Sequence, residues 1–431
     1  MGYAEHETRR PSPYRWGVAG FFLTLALASA TIAAGSSTDR MIAIYQRILR
    51  VRPDDAESFY KLGDAYVEKG RETGDVAYFE LGAQALRKAL KSDPGLGPAH
   101  RHLALVLYTL HDFAGAIGHS QAALKLDPRD SYAYGVMGDA ELETGDYQGA
   151  ARSYATMIAL RADLYSYARR SGLESVRGET TACVADLKRA IADGQRGGKP
   201  AESVAWVQWQ LGNEYFKTGN LAGAQQSYQD SLKTYPGYHR ALAGMAQMRA
   251  AQGHLPAAAE LYNQAIAVIP MPEYAAALAD VYTMMGRTQE ASREQSLVEF
   301  IGRLNKINKT LYNRSLAYFY ADHDLEVPAA LELAGAELKA RRDIYGHDVM
   351  AWALYKSGQP RAAAAEIHAA LSFGTQDPRL YYHAGMIEFK LGLKDRARRN
   401  LSRALALNPH FQPIQDQVAA GTLAMLAGDA R

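Results

Sequence analysis

The chain has 431 residues and sets 48 basic against 46 acidic side chains, a net charge of only +2. No global field draws it to nucleic acid or to an acidic surface. Its one cysteine, Cys183, excludes an intramolecular disulfide and cannot make a zinc site alone.

The first 40 residues differ in kind from the rest. Arg9, Arg10 and Arg15 precede an uncharged stretch from Trp16 to Ser37. A signal peptide fits, with a small-x-small cleavage site at Ala28-Ser29-Ala30. A signal anchor fits equally, since about 20 apolar residues cross the hydrocarbon of a bilayer. Residues 1–38 are therefore a signal peptide or a signal-anchor helix, with membrane contact through residues 16–37 if uncleaved. In either case the basic flank stays cytoplasmic, and the remainder of the chain lies outside the cytoplasm.

From residue 40 onward the chain repeats with a period of about 34 residues. Gly219 and Gly253 are 34 apart, as are Pro236 and Pro270. Helix Met41–Arg52, ending at Pro53, reads as the second half of a degenerate unit. Ten units come after it, starting near Ala56, Gly97, Ser131, Tyr165, Ala205, His239, Pro272, Thr310, Ile344 and Pro378. Each unit predicts a helical hairpin. Small residues stand where its two helices approach closest: Gly63 with Gly82, Ala104 with Ala116, Gly138 with Ala150, Gly212 with Ala224, Gly385 with Ala397. Gly145, Gly219, Gly253, Gly286, Gly358 and Gly392 fall where the first helix ends in a left-handed turn. Pro94, Pro128, Pro236, Pro270 and Pro409 close the second helix. In unit four the place of the small residue falls at Val184.

Three insertions break the period. Unit one carries extra residues around Arg71 to Asp75, and more stand between units seven and eight. The third, the Gly-rich loop 194–200, is the candidate division between an N-terminal array, 39–193, and a C-terminal array, 201–427. The stretch Gln412 to Leu426 reads as the capping helix that such an array needs.

The pattern Leu211-Gly212, Tyr215, Ala224, Tyr228, Pro236 resembles the tetratricopeptide repeat family. The resemblance covers roughly residues 40 to 427 and implies an all-α, right-handed solenoid of about ten hairpins. It also implies a concave groove lined by fixed positions of each first helix. Transferred residue by residue, these positions give Arg101; Tyr132 and Asp139; Arg169; Trp206, Trp209 and Asn213; Arg240; Asp280; Arg314; Asp348, Trp352 and Tyr355; Arg379 and Tyr382. Aromatic rings would supply area, and alternating Arg and Asp would select charge on a protein or peptide partner. Asn213 and Arg240 match the family's carboxylate-holding positions, but Trp209 stands where a lysine belongs.

The expected role is a non-enzymatic scaffold or adaptor, with an envelope assembly chaperone as one alternative. The other is an enzyme, or a subunit of one, using His323, His347 and His383. Their spacing matches no metal-ligand motif, no nucleophile or phosphate-loop motif occurs, and no cofactor is implied. Asn308-Lys309-Thr310 and Asn313-Arg314-Ser315 read as glycosylation sequons. The basic run Lys394 to Arg403 reads as a solvated outer face.

Overall fold

The computed structural model describes residues 37–73, 75–307 and 313–428. The apolar stretch before Ser37 and the Asn308 sequon lie outside these residues. Among the described residues there are 22 helices and no strand. None of these helices is long and apolar enough to cross a membrane.

A lone helix, α1 (Ser37–Val51), precedes ten hairpins. The first three pair α2 (Ala56–Thr73) with α3 (Val76–Ser92), α4 (Gly97–Thr109) with α5 (Phe113–Leu126), and α6 (Ser131–Glu143) with α7 (Tyr147–Leu160). Next come α8 (Leu164–Val176) with α9 (Thr180–Arg196), and α10 (Ala201–Lys217) with α11 (Leu221–Thr234). Beyond them lie α12 (His239–Ala251) with α13 (Leu255–Val268), and α14 (Pro272–Met284) with α15 (Thr288–Ile307). The last three are α16 (Asn313–Asp322) with α17 (Val327–Ala340), α18 (Ile344–Lys356) with α19 (Pro360–Leu371), and α20 (Pro378–Lys390) with α21 (Lys394–Leu407). A final helix, α22 (Gln415–Gly428), packs on α21 and caps the array. Each hairpin packs on the next, which makes a right-handed solenoid.

Local chemistry explains many of the boundaries. Asp112, Asp130, Asp146, Asn220, Asp343 and Asp377 accept backbone N–H bonds at helix starts and satisfy otherwise orphaned donors. The first helices of units two to ten end in one residue with positive φ: His111, Gly145, Gly178, Gly219, Gly253, Gly286, Asp324, Gly358 and Gly392. Within each hairpin the small residue is obligatory. A Cβ on Gly138 would lie 2.5 Å from the Tyr154 ring, and one on Gly212 2.4 Å from the Tyr228 ring.

Two expectations shift. Unit four begins at Leu164, one residue early, so buried Cys183, not Val184, holds its closest-approach place. A small thiol fits there, and burial pushes its pKa up. The Gly-rich loop, between Arg196 and Ala201, does not divide the core. Leu164, Leu187, Ala190, Val204 and Val207 form one buried cluster across it.

The solenoid also closes on itself. The turn of unit three meets the end of unit eight, where a Cβ on Gly145 would lie 2.5 Å from the Arg342 carbonyl oxygen. Unit four meets unit nine in the same way, Gly178 against the Gly374 carbonyl, and unit five meets unit ten, Gly219 against that of Leu407. Side chains lock this seam. The Ile344 N–H donates to the Tyr147 hydroxyl at 2.8 Å, and buried Asn408 donates to the Phe216 carbonyl at 2.8 Å. Arg341 reaches Glu143 at 3.1 Å and donates to His111 Nε2 at 2.7 Å. The inner wall is therefore not the single open groove that the repeat pattern implied.

Candidate functional site

Closure turns the wall of units three to ten into an axial chamber of about 790 Å³. A second space of about 440 Å³ adjoins it and shares Glu273, Arg314, Tyr345, Asp377 and Arg379. Of the expected groove residues, Trp209, Asn213, Arg240, Arg314 and Arg379 line the chamber. Asp280 lines the second space.

These side chains differ in what they have free. Arg240 lies over the Trp209 ring at 5.0 Å. Among the described residues it has no carboxylate within salt-bridge reach. Arg314, by contrast, is spent on Asp343 at 2.7 Å and Glu337 at 2.9 Å. Arg379 sits over the Tyr318 ring at 4.3 Å with Asp348 at 3.9 Å. The Asn213 carbonyl oxygen accepts from the Tyr228 hydroxyl at 2.8 Å, which leaves its amide N–H groups to the chamber.

Other expected residues are turned to one another. Arg101 donates to Asp130 at 3.3 Å and lies over the Tyr132 ring. Arg169 pairs with Asp139 at 2.8 Å, and Asp139 also accepts from Tyr154. With unit four beginning one residue early, Arg169 is also one place off its expected repeat position. The alternating charges thus tie adjacent repeats together instead of waiting for a partner. Trp206 packs half-buried between the Ala190–Val207 core and Tyr238.

The expected aromatic cluster at Trp352 is core. Trp352 and Tyr382 are 2% and 4% exposed, and Asp348 is fully buried. Tyr355 stacks on Trp352 at 4.9 Å. Asp322 accepts from the Trp352 indole, while Asp348 accepts from His383 and Tyr318. Burial alone would raise Asp348, but the charge and hydrogen bond of His383, with Arg379 and Tyr318, hold it below the usual carboxylate range. Burial raises Asp322.

The three histidines do not converge. His323 bonds Asp280 at 2.8 Å, His347 bonds Glu366 at 2.7 Å, and His383 bonds Asp348 at 2.8 Å. Burial opposes the charge on His323, and the Asp280 hydrogen bond and charge outweigh it to raise its pKa. Among the described residues no group of His, Cys, Asp or Glu is placed to hold a metal.

Reading positions by repeat register named only part of the chamber. Glu143, Lys217 and Asp377 line it from places outside the transferred positions, whereas Glu273 and Tyr345 stand at the second position of their units and were not singled out. The internal pairs did leave a signal: Arg101–Asp130, Arg169–Asp139 and Arg314–Asp343 lie 29 or 30 residues apart, just short of one repeat.

Sequence models of the tetratricopeptide repeat match residues 26–89, 102–166 and 349–410, and a further one matches 215–281. Together they span more than half of the chain. Among solved structures, a tetratricopeptide repeat protein from Parabacteroides merdae ATCC 43184 is 16% identical. The match covers 61% of this chain and 98% of that one, at a TM-score of 0.34. PilW, a type IV pilus biogenesis factor, is 16% identical over 47% of this chain and 92% of its own, at 0.41. MamA is 22% identical over 38% and 92%, at 0.31.

Proposed function

The chain belongs to the tetratricopeptide repeat family, and from that premise we propose a non-enzymatic protein-binding scaffold. Its array lies outside the cytoplasmic membrane and takes a partner's segment at the axial chamber. The observation that carries this reading is Arg240, a cation stacked on Trp209 in a concave wall with no carboxylate of its own. A cation on an aromatic face, partly withdrawn from water, favours an anionic or polar guest. The size of the space narrows the guest further. A chamber of about 790 Å³ is within the range of small-ligand pockets, so a chain end or a few side chains enter rather than a long helix.

Export rests on the sequence, Arg9, Arg10 and Arg15 ahead of residues 16–37. A reporter enzyme active only outside the cytoplasm, fused after residue 428, should be active. An inactive fusion would reverse the orientation, with Arg40, Arg47, Arg50 and Arg52 behind the run setting it instead.

The binding test uses photocrosslinking residues at Gln210 and Gln247 on the chamber wall and at exposed Gln226 on the outer surface. The same protein should be captured from both wall positions but not from Gln226, and Arg240→Glu should abolish capture. Equal capture from Gln226, or capture indifferent to Arg240→Glu, would overturn the reading.

A further inference from the structure

Helix α1 stands where a hairpin's second helix stands, with Pro53 closing it. One side packs Ile42, Tyr45 and Leu49 onto α2 and α3. The other side carries Met41, Ile44 and Val51, 41%, 48% and 80% exposed. At 100° per residue these fall on one stripe with Ile48, and Arg40, Arg47 and Arg50 form the adjoining stripe. All three arginines are exposed, and none has a carboxylate partner among the described residues.

In the ten hairpins a first helix covers this face. Two observations speak against such a helix here. Met41 stands at the closest-approach place, which Gly82, Ala116, Ala150 and Ala224 fill elsewhere; a long side chain there holds a helix off. The residues directly ahead, 16–37, contain no carboxylate to meet three arginines. An anion from outside the chain fits these arginines, and an apolar medium beside it fits the apolar side chains.

We propose that α1 lies in the headgroup region of an anionic bilayer, with Met41, Ile44 and Val51 against the acyl boundary and Arg40, Arg47 and Arg50 on lipid phosphates. Interfacial helices combine apolar burial and basic side chains in this way. The inference rests on the anchored form of the proposed localisation. The stretch 16–37 directly precedes α1 in the sequence, so an anchored form would bring α1 to the bilayer surface.

The test reconstitutes the full chain carrying Ile44→Cys with a nitroxide label. Cys183 is buried and its thiol is pushed up by burial, so it stays unlabelled. In phosphatidylcholine–phosphatidylglycerol vesicles, the label should lose collisions with an aqueous nickel complex and gain collisions with oxygen. The triple change Arg40→Glu, Arg47→Glu and Arg50→Glu should abolish that exchange while the chain still floats with the vesicles and keeps its helicity. A chain that floats with a water-exposed label defeats the α1 proposal and leaves the anchor standing. A chain that does not float defeats both. A label shielded from both reagents whatever the lipid or charge would mean that residues 26–36 cover the face instead.

Discussion

The turns of units three to five and those of units six, seven, nine and ten use the same residue at the same place for different purposes. Gly253, Gly286, Gly358 and Gly392 meet no foreign atom within 4 Å of a Cβ, so only their positive φ calls for glycine. Gly145, Gly178 and Gly219 have the same φ and also bear a carbonyl from five repeats later. One set shapes a hairpin; the other joins successive turns of the superhelix and encloses the chamber. A repeat consensus records the first role and hides the second.

Substitution separates the two sets. Gly219→Ala meets both left-handed strain and the Leu407 carbonyl, and should cost about 3 kcal/mol by denaturant titration, with a larger radius of gyration. Asn408→Ala removes the seam bond to the Phe216 carbonyl, which keeps the Gly219 N–H, and the bond accepted from the His410 N–H, and should cost about 2 kcal/mol by the same measure. Gly253→Ala meets strain alone and should cost about 1 kcal/mol with the radius unchanged. Equal costs for Gly219 and Gly253 would remove the distinction.

The smallest expected effect is a dependence on pH. Burial, with Arg341 and Arg314 nearby, lowers His111 to about 3, so the neutral ring accepts from Arg341. A lowered histidine contributes stability above its ordinary value near 6.5 and loses it as pH falls towards 3. His111→Asn keeps an acceptor and tolerates the left-handed φ of 61°. The variant should lose less stability than the parent between pH 7 and pH 4. Parallel loss in both would show that His111 does not report the seam.

Nearly every hairpin was legible in the sequence, because small, aromatic, glycine and proline residues each answer a steric demand inside one repeat. Unit four is the exception that explains itself: Cys183 is small but outside the consensus, and the register slipped to Val184. The seam was not legible, because backbone carbonyls receive Gly145, Gly178 and Gly219, and a carbonyl leaves no residue signature. The site was legible only in part. Trp209, Asn213 and Arg240 reach the chamber from their expected positions, whereas Trp352 and Tyr382 are core and Asp139 and Arg169 neutralise each other. Composition at a repeat position names a side chain's chemistry, but its pairing depends on the neighbouring unit.

Closure is tested most directly by a distance across the seam. Spin labels at exposed Gln148 and Arg342 flank the contact between Gly145 and Arg342. The closed superhelix predicts one narrow distribution, no longer than two label arms add to neighbouring residues. An open coil would separate them by five stacked repeats, on the order of 40 Å at 8–10 Å per helix layer. A distribution centred there would contradict the seam and the chamber with it.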